Sequence, residues 1–164
     1  MKKRFLAVLL LAALLTLPGC GGEKQTAFQV GDKVETYWFQ FTVDQVKTTE
    51  RWMDYQPQEG DRLAVCYLTM DSTFSEAVPM NWADFVLRWG DGEDDGTCPI
   101  EYQGQEQLPD EYDLVKGEER TGCLVFEVPQ GVTRAKLVFQ ELFNEGDSVY
   151  TEGDTYYVDV DLPI

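Results

Sequence analysis

The sequence stretch 124–129, Leu-Val-Phe-Glu-Val-Pro, decides the fold class of this chain. Leu124 and Phe126 alternate with a valine and a glutamate, and successive side chains of a β-strand point to opposite faces. The residues Pro-Gln-Gly at positions 129–131 then end the run with a turn. The pattern predicts a strand whose Leu124 and Phe126 face a hydrophobic interior.

The same alternation recurs elsewhere along the chain. It occurs in the sets Tyr37, Phe39, Phe41, Val43; Phe85, Leu87, Trp89; Ala135, Leu137, Phe139; and Tyr156, Val158, Val160. Residues 63–70 are instead almost all apolar, which is typical of a strand that is covered on both faces. Val46 continues the first set out of phase and so predicts a bend or bulge.

Turns rich in glycine and acidic residues separate these runs, and no long amphipathic helix follows residue 20. Residues 108–114 are predicted to form at most one helical turn. Short strands joined by such turns are typical of two antiparallel sheets packed face to face. The sequence therefore predicts an all-β fold, an antiparallel β-sandwich.

The N-terminus has the organisation of a secretory signal peptide. Three basic residues follow Met1, an apolar run occupies residues 5–17, and Pro18-Gly19-Cys20 comes next. A small residue before a cysteine resembles a bacterial lipobox, in which Pro18 is unusual, and it predicts a diacylglycerol on Cys20. The apolar run is shorter than the roughly 20 residues that span a membrane. A retained signal anchor and plain secretion stay open as alternatives.

These features divide the chain into three parts. Residues 1–19 are a predicted lipoprotein signal peptide, residues 20–29 a flexible tether and residues 30–164 the β-sandwich. Acyl chains on Cys20 would hold the protein extracytoplasmically, on the outer face of the bacterial cytoplasmic membrane. The membrane is therefore one predicted partner, reached through the lipid, and the oligomeric state is left open.

Charge and composition exclude several functions. The net charge is −17 at pH 7, and removal of residues 1–19, which hold three bases and no acid, makes it −20. Nucleic-acid binding depends on neutralising phosphates with Lys and Arg, so we expect no nucleic-acid partner. The chain has no histidine, which excludes Ser-His and Cys-His nucleophile pairs. We therefore expect neither enzymatic activity nor a cofactor.

Several blocks of sequence together resemble a known family. They are Gly31-Asp32-Lys33-Val34-Glu35-Thr36, Trp38-Phe39, Phe41-Thr42-Val43, Gly60-Asp61-Arg62-Leu63-Ala64-Val65, Asp84-Phe85-Val86-Leu87, Leu114-Val115-Lys116-Gly117-Glu118, Gly122-Cys123-Leu124-Val125-Phe126-Glu127-Val128-Pro129 and Lys136-Leu137-Val138-Phe139. Their order and spacing resemble an immunoglobulin-like domain of unknown function found in bacterial surface lipoproteins, related to a secreted immunoprotective antigen. The resemblance covers residues 30–162 and implies an immunoglobulin-like sandwich at the cell surface. It implies no catalytic residue.

Three cysteines, Cys66, Cys98 and Cys123, follow the predicted anchor. An odd number allows at most one internal disulfide. In an immunoglobulin-like order the strands of Cys66 and Cys123 are expected to be sheet neighbours, so the two thiols are either bonded or separately buried, and both alternatives stay open. Cys98 follows an acidic loop, and we expect it to be exposed and reactive toward a thiol reagent.

The acidic loop over residues 91–96 is a candidate cation site. Oxygen ligands at Asp91, Glu93 and Asp95 resemble the first half of a calcium-binding loop. The bidentate glutamate that such a loop requires is missing, because Tyr102 stands at that position. A solvated hairpin is therefore the favoured interpretation, and no metal is predicted.

The tryptophans supply the candidate partner-binding residues. Trp52 and Tyr55 lie in a polar connection, and with Trp82 they are predicted to form an exposed contact surface. Trp38 and Trp89 belong to alternating runs and are expected in the core.

The leading functional prediction is a lipid-anchored extracytoplasmic binding or adhesion module without catalytic activity. Its molecular partner is unknown, and the candidate partner is another protein. The alternative is an accessory lipoprotein that binds a small molecule or a divalent cation. An exposed aromatic patch would favour the first function, whereas a closed carboxylate cluster would favour the second. The fold alone cannot distinguish them, because sandwiches carry many functions.

Overall fold

The structure is a computed structural model that describes residues 26–92, 94–104, 106–144 and 150–164. The predicted signal peptide, the predicted lipidation site Cys20 and Glu93 of the acidic loop lie outside the described residues. The described residues form β-strands and a single short 3-10 helix. No helix among them is long and apolar enough to cross a membrane.

The strands form two large sheets and one small sheet. In chain order they are β1 (Ala27–Gln29), β2 (Lys33–Glu35), β3 (Phe39–Thr49), β4 (Asp61–Ser72), β5 (Val78–Asn81), β6 (Phe85–Arg88), β7 (Gly96–Thr97), β8 (Glu111–Leu114), β9 (Glu119–Pro129), β10 (Arg134–Asn144) and β11 (Tyr150–Asp161). The strand orders are β1-β11-β10-β6-β7, β2-β3-β4-β9 and β5-β8. Apart from the parallel pair β1 and β11, neighbouring strands are antiparallel, which confirms the predicted all-β sandwich.

Aromatic side chains from both large sheets meet in the core between them. The ring of Phe39 on β3 lies 5.0 Å from that of Phe139 on β10, and Phe41 lies 5.4 Å from Phe85 on β6. Phe126 of β9 is fully buried in the same core, and the neighbouring Leu124 is buried beside it, as predicted. These ring contacts join the sheets, because edge-to-face aromatic pairs add to the free energy of area burial.

Strand β4 is buried on both faces, as its apolar run predicts. Its Cys66 and Leu68 face the core between the sheets. On the opposite face lies a second group of buried residues from β4 and β9, which we call the outer cluster: Leu63, Val65, Cys123 and Val125.

The predicted irregularity in β3 is confirmed as a bulge. The register between β3 and β4 shifts between Val43 and Gln45. Asp44, at the shift, accepts a hydrogen bond of 2.8 Å from the Thr69 hydroxyl. Val46 packs against the core beyond the bulge, which explains the change of phase in the sequence.

The predicted tether extended too far into the domain. Ala27–Gln29 forms β1, which pairs with β11 and places Phe28 opposite Val158. Phe28 is buried, so this segment gains both an apolar contact and backbone hydrogen bonds from the sheet edge. The prediction is therefore wrong for residues 27–29.

The predicted helical turn over residues 108–114 is also wrong. Glu111–Leu114 is β8, which pairs with β5, a strand that the hydrophobic pattern did not identify. One isolated helical turn fixes several dihedral angles for a single hydrogen bond, whereas pairing satisfies backbone groups on both strands. The helix that does occur is the 3-10 turn Trp82–Asp84 between β5 and β6.

Candidate functional site

Four aromatic residues gather where β3 begins and β4 ends. Tyr37 and Trp38 precede β3, Phe74 follows β4, and Phe143 lies on β10. The ring centroid of Phe143 is 4.9 Å from Trp38 and 5.4 Å from Tyr37, and that of Phe74 is 5.7 Å from Tyr37. Tyr37 is 59% exposed, so this cluster reaches the surface. We call these four residues the aromatic site.

A buried carboxylate holds the aromatic site together. The register of β10 with β11 shifts between Gln140 and Leu142, and Glu141 at this bulge is only 3% exposed. Its carboxylate accepts hydrogen bonds from the Tyr37 backbone N–H at 2.7 Å and the Tyr156 hydroxyl at 2.9 Å. A buried charge is costly unless it is hydrogen-bonded, so Glu141 fixes the segment before β3 against the hairpin of β10 and β11.

Gly153 makes room for this arrangement. A Cβ atom at position 153 would lie 2.6 Å from a ring carbon of Phe143 and 2.9 Å from a carboxylate oxygen of Glu141. Distances this short require the neighbouring atoms to move. The absence of a side chain at this position therefore lets Phe143 and Glu141 occupy their places.

A cavity of about 300 Å³ opens beside the aromatic site. Its apolar walls come from several separate elements of the fold, and they include Trp38, Phe74, Val78, Met80, Phe139 and Leu142. Val78, Met80 and Phe139 are buried, whereas Leu142 is 50% exposed at the rim. A concave apolar space of this size is at the lower end of the range for small-ligand pockets.

Among the residues that the structure describes, one carboxyl group lines the cavity. Asp84 ends the 3-10 helix and accepts a hydrogen bond of 2.7 Å from the Asn81 backbone N–H, while the Asn81 side chain accepts one of 3.0 Å from the Ala83 N–H. Burial raises the pKa of Asp84, and the hydrogen bond from Asn81 opposes that shift. This reciprocal capping fixes the carboxyl group at the wall of the cavity.

Two of the predicted partner-binding residues do not form an exposed surface. Trp52 and Tyr55 exchange backbone hydrogen bonds of 3.1 and 2.8 Å in a tight turn, and both are half-buried against the outer cluster. The Tyr55 hydroxyl donates to the Glu127 carboxylate, and this bond, followed by burial, raises the pKa of Tyr55 to about 12. The prediction of a free contact surface is wrong here, because the apolar outer face of β4 and β9 requires a cover.

The other tryptophans agree with expectation only in part. Trp82 is 36% exposed on the 3-10 helix, in a different part of the fold from Trp52. Trp38 and Trp89 pack against the core but are only half-buried. The sequence signal for the aromatic site was weak, because the acidic Glu141 stands between Phe139 and Phe143 and interrupts the apolar alternation.

The acidic loop is a hairpin connection between β6 and β7. The Asp95 carboxylate accepts a hydrogen bond of 2.9 Å from the Gly92 backbone N–H, and Arg88 donates one of 3.0 Å to the Gly92 carbonyl. Asp91 is exposed, and Glu93 lies outside the described residues. Within the described ranges, no three acidic or cysteine side chains are grouped as metal ligands.

The cysteines lie in separate environments. Strands β4 and β9 are neighbours as predicted, but Cys66 is opposite Leu124 while Cys123 is opposite Tyr67. The two thiols therefore point to opposite faces of the sheet and are both free. Burial raises the pKa of each to about 12, and it also raises the pKa of the half-buried Cys98.

A second groove, of about 380 Å³, crosses the outer face of β6, β10 and β11. Its basic residues already have partners within the sheet. Arg134 pairs with Asp161 at 3.2 Å, and the Lys136 ammonium lies 5.7 Å from the centre of the Tyr157 ring. The cavity beside the aromatic site is the better candidate, since its walls are apolar and, among the described residues, no basic side chain forms an ion pair with the carboxyl group that lines it.

The fold and this cavity define a β-sandwich domain with an apolar pocket at one end. The chain belongs to a family described as a domain of unknown function (DUF4352), which matches residues 28–149. No curated protein matches it.

Two solved structures from Bacillus subtilis are similar in fold. One is ycdA, a candidate lipoprotein, with a TM-score of 0.59, 17% identity and coverage of 79% of this chain but only 38% of that one. The other is the yjhA protein, with a TM-score of 0.60, 19% identity and coverage of 83% and 99%. An uncharacterised β-sandwich protein of Clostridium difficile 630 has a TM-score of 0.48, 12% identity and coverage of 87% and 99%. At such identities the likeness concerns the fold alone.

Proposed function

We propose that this protein is a lipid-anchored extracytoplasmic binding module that takes a small, largely apolar ligand into the cavity beside the aromatic site. The observation that carries the proposal is the cavity itself, a concave apolar space with an exposed aromatic rim. Apolar surface of this kind is unfavourable in water unless something covers it, and it marks a ligand or partner site.

The absence of catalysis belongs to the same proposal. The chain has no histidine, and burial keeps the thiols of Cys66 and Cys123 protonated at neutral pH. The titratable group that lines the cavity is a single carboxyl, Asp84, whereas acid–base chemistry normally pairs groups of different pKa. The net charge of −17 similarly supports a partner other than nucleic acid.

The anchor rests on the N-terminal sequence. A basic start, a short apolar run and Gly19-Cys20 support cleavage and lipidation at the outer face of the cytoplasmic membrane. The relation to a secreted immunoprotective antigen likewise rests on sequence resemblance. Replacing Cys20→Ser should leave an uncleaved precursor or release the protein from the membrane fraction. Lipid labelling that survives this replacement would contradict the anchor.

The binding proposal can be tested with N-phenyl-1-naphthylamine, an apolar dye whose fluorescence rises in dry sites. The soluble mature chain carrying Cys20→Ser should bind the dye, and Leu142→Glu should weaken binding about tenfold by placing a charge at the cavity mouth. The matched control is Val30→Glu, because Val30 is 41% exposed and does not line the cavity. Equal binding by the two variants, or none by the parent protein, would overturn the proposal.

A second function, docking of a protein partner, is favoured by the exposure of Tyr37 at 59% and Leu142 at 50%. Exposed aromatic and aliphatic anchors beside a pocket are typical of interaction hot spots. A photo-crosslinking residue at position 37 should then capture a protein on intact cells, while the same residue at position 30 should not. Equal capture at both positions would argue against this docking function.

A further inference from the structure

Asp84 is the sole ionisable side chain among the described residues that line the cavity. The other polar side chain of the lining is Gln140, and the remaining residues are apolar. A lone acid in apolar surroundings is an unfavourable arrangement for folding, because a carboxylate loses hydration there. Such a group is usually paired with a cation or retained for a purpose.

The structure supplies little compensation for this acid. The Asn81 backbone N–H donates one hydrogen bond to it, at 2.7 Å, whereas two carboxylate oxygens can accept about four. Within the described part of the chain, no lysine or arginine forms an ion pair with Asp84; the arginine pairs lie elsewhere, at Asp54, Glu118 and Asp161. The nearby Tyr112 is half-buried and carries no positive charge, and the Arg120 guanidinium that lies 4.5 Å from the centre of its ring is paired with Glu118. The carboxylate therefore keeps capacity for a cationic donor.

The walls of the cavity also favour a cation with an apolar body. The faces of Trp38 and Phe74 carry negative electrostatic potential, which attracts ammonium groups within about 6 Å. Val78, Met80 and Phe139 provide the apolar contact for an alkyl or aryl portion. The net charge of −17 additionally draws cations toward the protein.

We infer that the cavity binds an organic ammonium ligand, with its apolar body between the walls and its ammonium group on the Asp84 carboxylate. This inference rests on the proposed function and narrows its ligand class. A divalent metal fits poorly, since calcium takes about 6–8 oxygen ligands and the lining offers one carboxyl group. An organic anion would meet the carboxylate directly and should be rejected.

The test compares three probes of equal length, hexylammonium, hexanol and hexanoate, as competitors of N-phenyl-1-naphthylamine on the soluble mature chain at pH 7. Hexylammonium should displace the dye at a concentration at least about tenfold lower than hexanol, because hydrogen bonds to charged groups are the strong ones. Hexanoate should be the weakest competitor. In Asp84→Asn, hexylammonium and hexanol should displace the dye at similar concentrations. The amide keeps the size of the side chain and an acceptor oxygen for the Asn81 N–H but loses the charge.

The matched control is Asp161→Asn, which removes one charge from an exposed site on the outer face of β11. It should leave the order of the three probes unchanged. Equal displacement by hexylammonium and hexanol in the parent protein would overturn the ammonium inference while preserving an apolar binding site. Failure of the parent protein to bind the dye or any probe would instead overturn the proposed function. The order of the three competitors in the parent protein tests the ammonium inference even if Asp84→Asn has a lower melting temperature.

Discussion

The aromatic site and the outer cluster both present apolar surface at the edge of the sandwich, but only the outer cluster is covered. Over the outer cluster, Trp52 and Tyr55 fold down and are held by the hydrogen bond from the Tyr55 hydroxyl to the Glu127 carboxylate. Beside the aromatic site, Trp38 and Phe74 stand at the rim of an open cavity. Covering makes the first region part of the core, whereas the second region remains available to a ligand.

The two regions differ because their buried or half-buried carboxylates, Glu127 and Glu141, accept hydrogen bonds from different parts of the chain. Glu127 accepts from both the Tyr55 hydroxyl and the Gln58 backbone N–H, so it closes the connection between β3 and β4 over the sheet. Glu141 instead accepts a hydrogen bond from the backbone N–H of Tyr37, which fixes the backbone there but leaves the Tyr37 side chain 59% exposed. Glu127 therefore helps to cover the outer cluster, whereas Glu141 fixes the aromatic site without covering it.

The largest effect is expected in the core that both regions flank. Phe126→Ala should lower the free energy of unfolding by about 3–5 kcal/mol, because it empties a fully buried aromatic site between the sheets. The matched change Val125→Ala, in the outer cluster on the opposite face of β9, removes fewer atoms and should cost less. Chemical denaturation measures both, and a melting temperature of Phe126→Ala within a degree or two of the parent would contradict the strand assignment.

Glu141→Gln should have the next largest effect and lower the free energy of unfolding by about 1–3 kcal/mol. One carboxylate oxygen accepts from both the Tyr37 backbone N–H and the Tyr156 hydroxyl, and the other accepts from the Asp154 backbone N–H at 3.2 Å. The amide replaces one of these two oxygens with an NH2 group, so the donors on that side lose their acceptor. Near-ultraviolet circular dichroism should also weaken as Tyr37 and Trp38 lose their fixed positions. Glu152→Gln, at an exposed position on β11, is the control, and an equal effect of the two changes would refute the role of Glu141.

Tyr55→Phe probes the cover of the outer cluster through pH. The pKa of Tyr55 is raised from 10.0 to about 12 by the hydrogen bond with Glu127, so its protonated form stabilises the folded state. That stabilisation is complete below pH 10 and is lost as the pH rises from 10 to about 12. The parent protein should therefore lose more stability over this interval than Tyr55→Phe, and parallel unfolding curves for the two would contradict the assignment.

Thiol labelling tests the cover of the outer cluster at individual cysteines. In the folded protein, Cys98 should react with a thiol reagent, while the buried Cys66 and Cys123 should not. Trp52→Ala opens the outer cluster and should expose Cys123 but leave Cys66, which faces the core between the sheets, protected. Mass spectrometry of the alkylated protein separates the three sites. Protection of Cys98 together with labelling of Cys66 in the parent protein would show that the burial pattern is wrong.

Periodicity predicted long strands such as β3, β10 and β11 because they bury mainly one face, which imposes a repeat of two on their apolar residues. It also predicted that residues 63–70 are covered on both faces and that β3 has a bulge, since each leaves a direct mark on the apolar pattern. Short strands such as β5 and β8 leave no such mark, because their pairing depends on backbone hydrogen bonds and distant neighbours.

The sequence predicts an exposed Trp52 and a core Trp38, and the structure shows the opposite tendency for a related reason. Trp52 lies among polar residues, yet the apolar outer face of β4 and β9 draws it inward. Trp38 lies in an alternating run, yet it stands at the rim of a cavity because β3 only begins at Phe39. Exposure of an aromatic residue depends on what the rest of the chain places over it, and that information is not local. Asp84 and Glu141 were missed because a single acid outside a motif carries no signal.

The central claim, that the aromatic site binds a ligand while the covered cluster does not, is most directly tested by following the tryptophan indole N–H signals of the soluble mature chain by nuclear magnetic resonance. Hexylammonium is the titrant, and Trp38→Phe and Trp52→Phe variants assign the two signals. We expect a progressive shift of the Trp38 indole signal, because this ring lines the cavity, and no shift at Trp52, whose indole N–H is buried. A shift at Trp52 with Trp38 unmoved would contradict it.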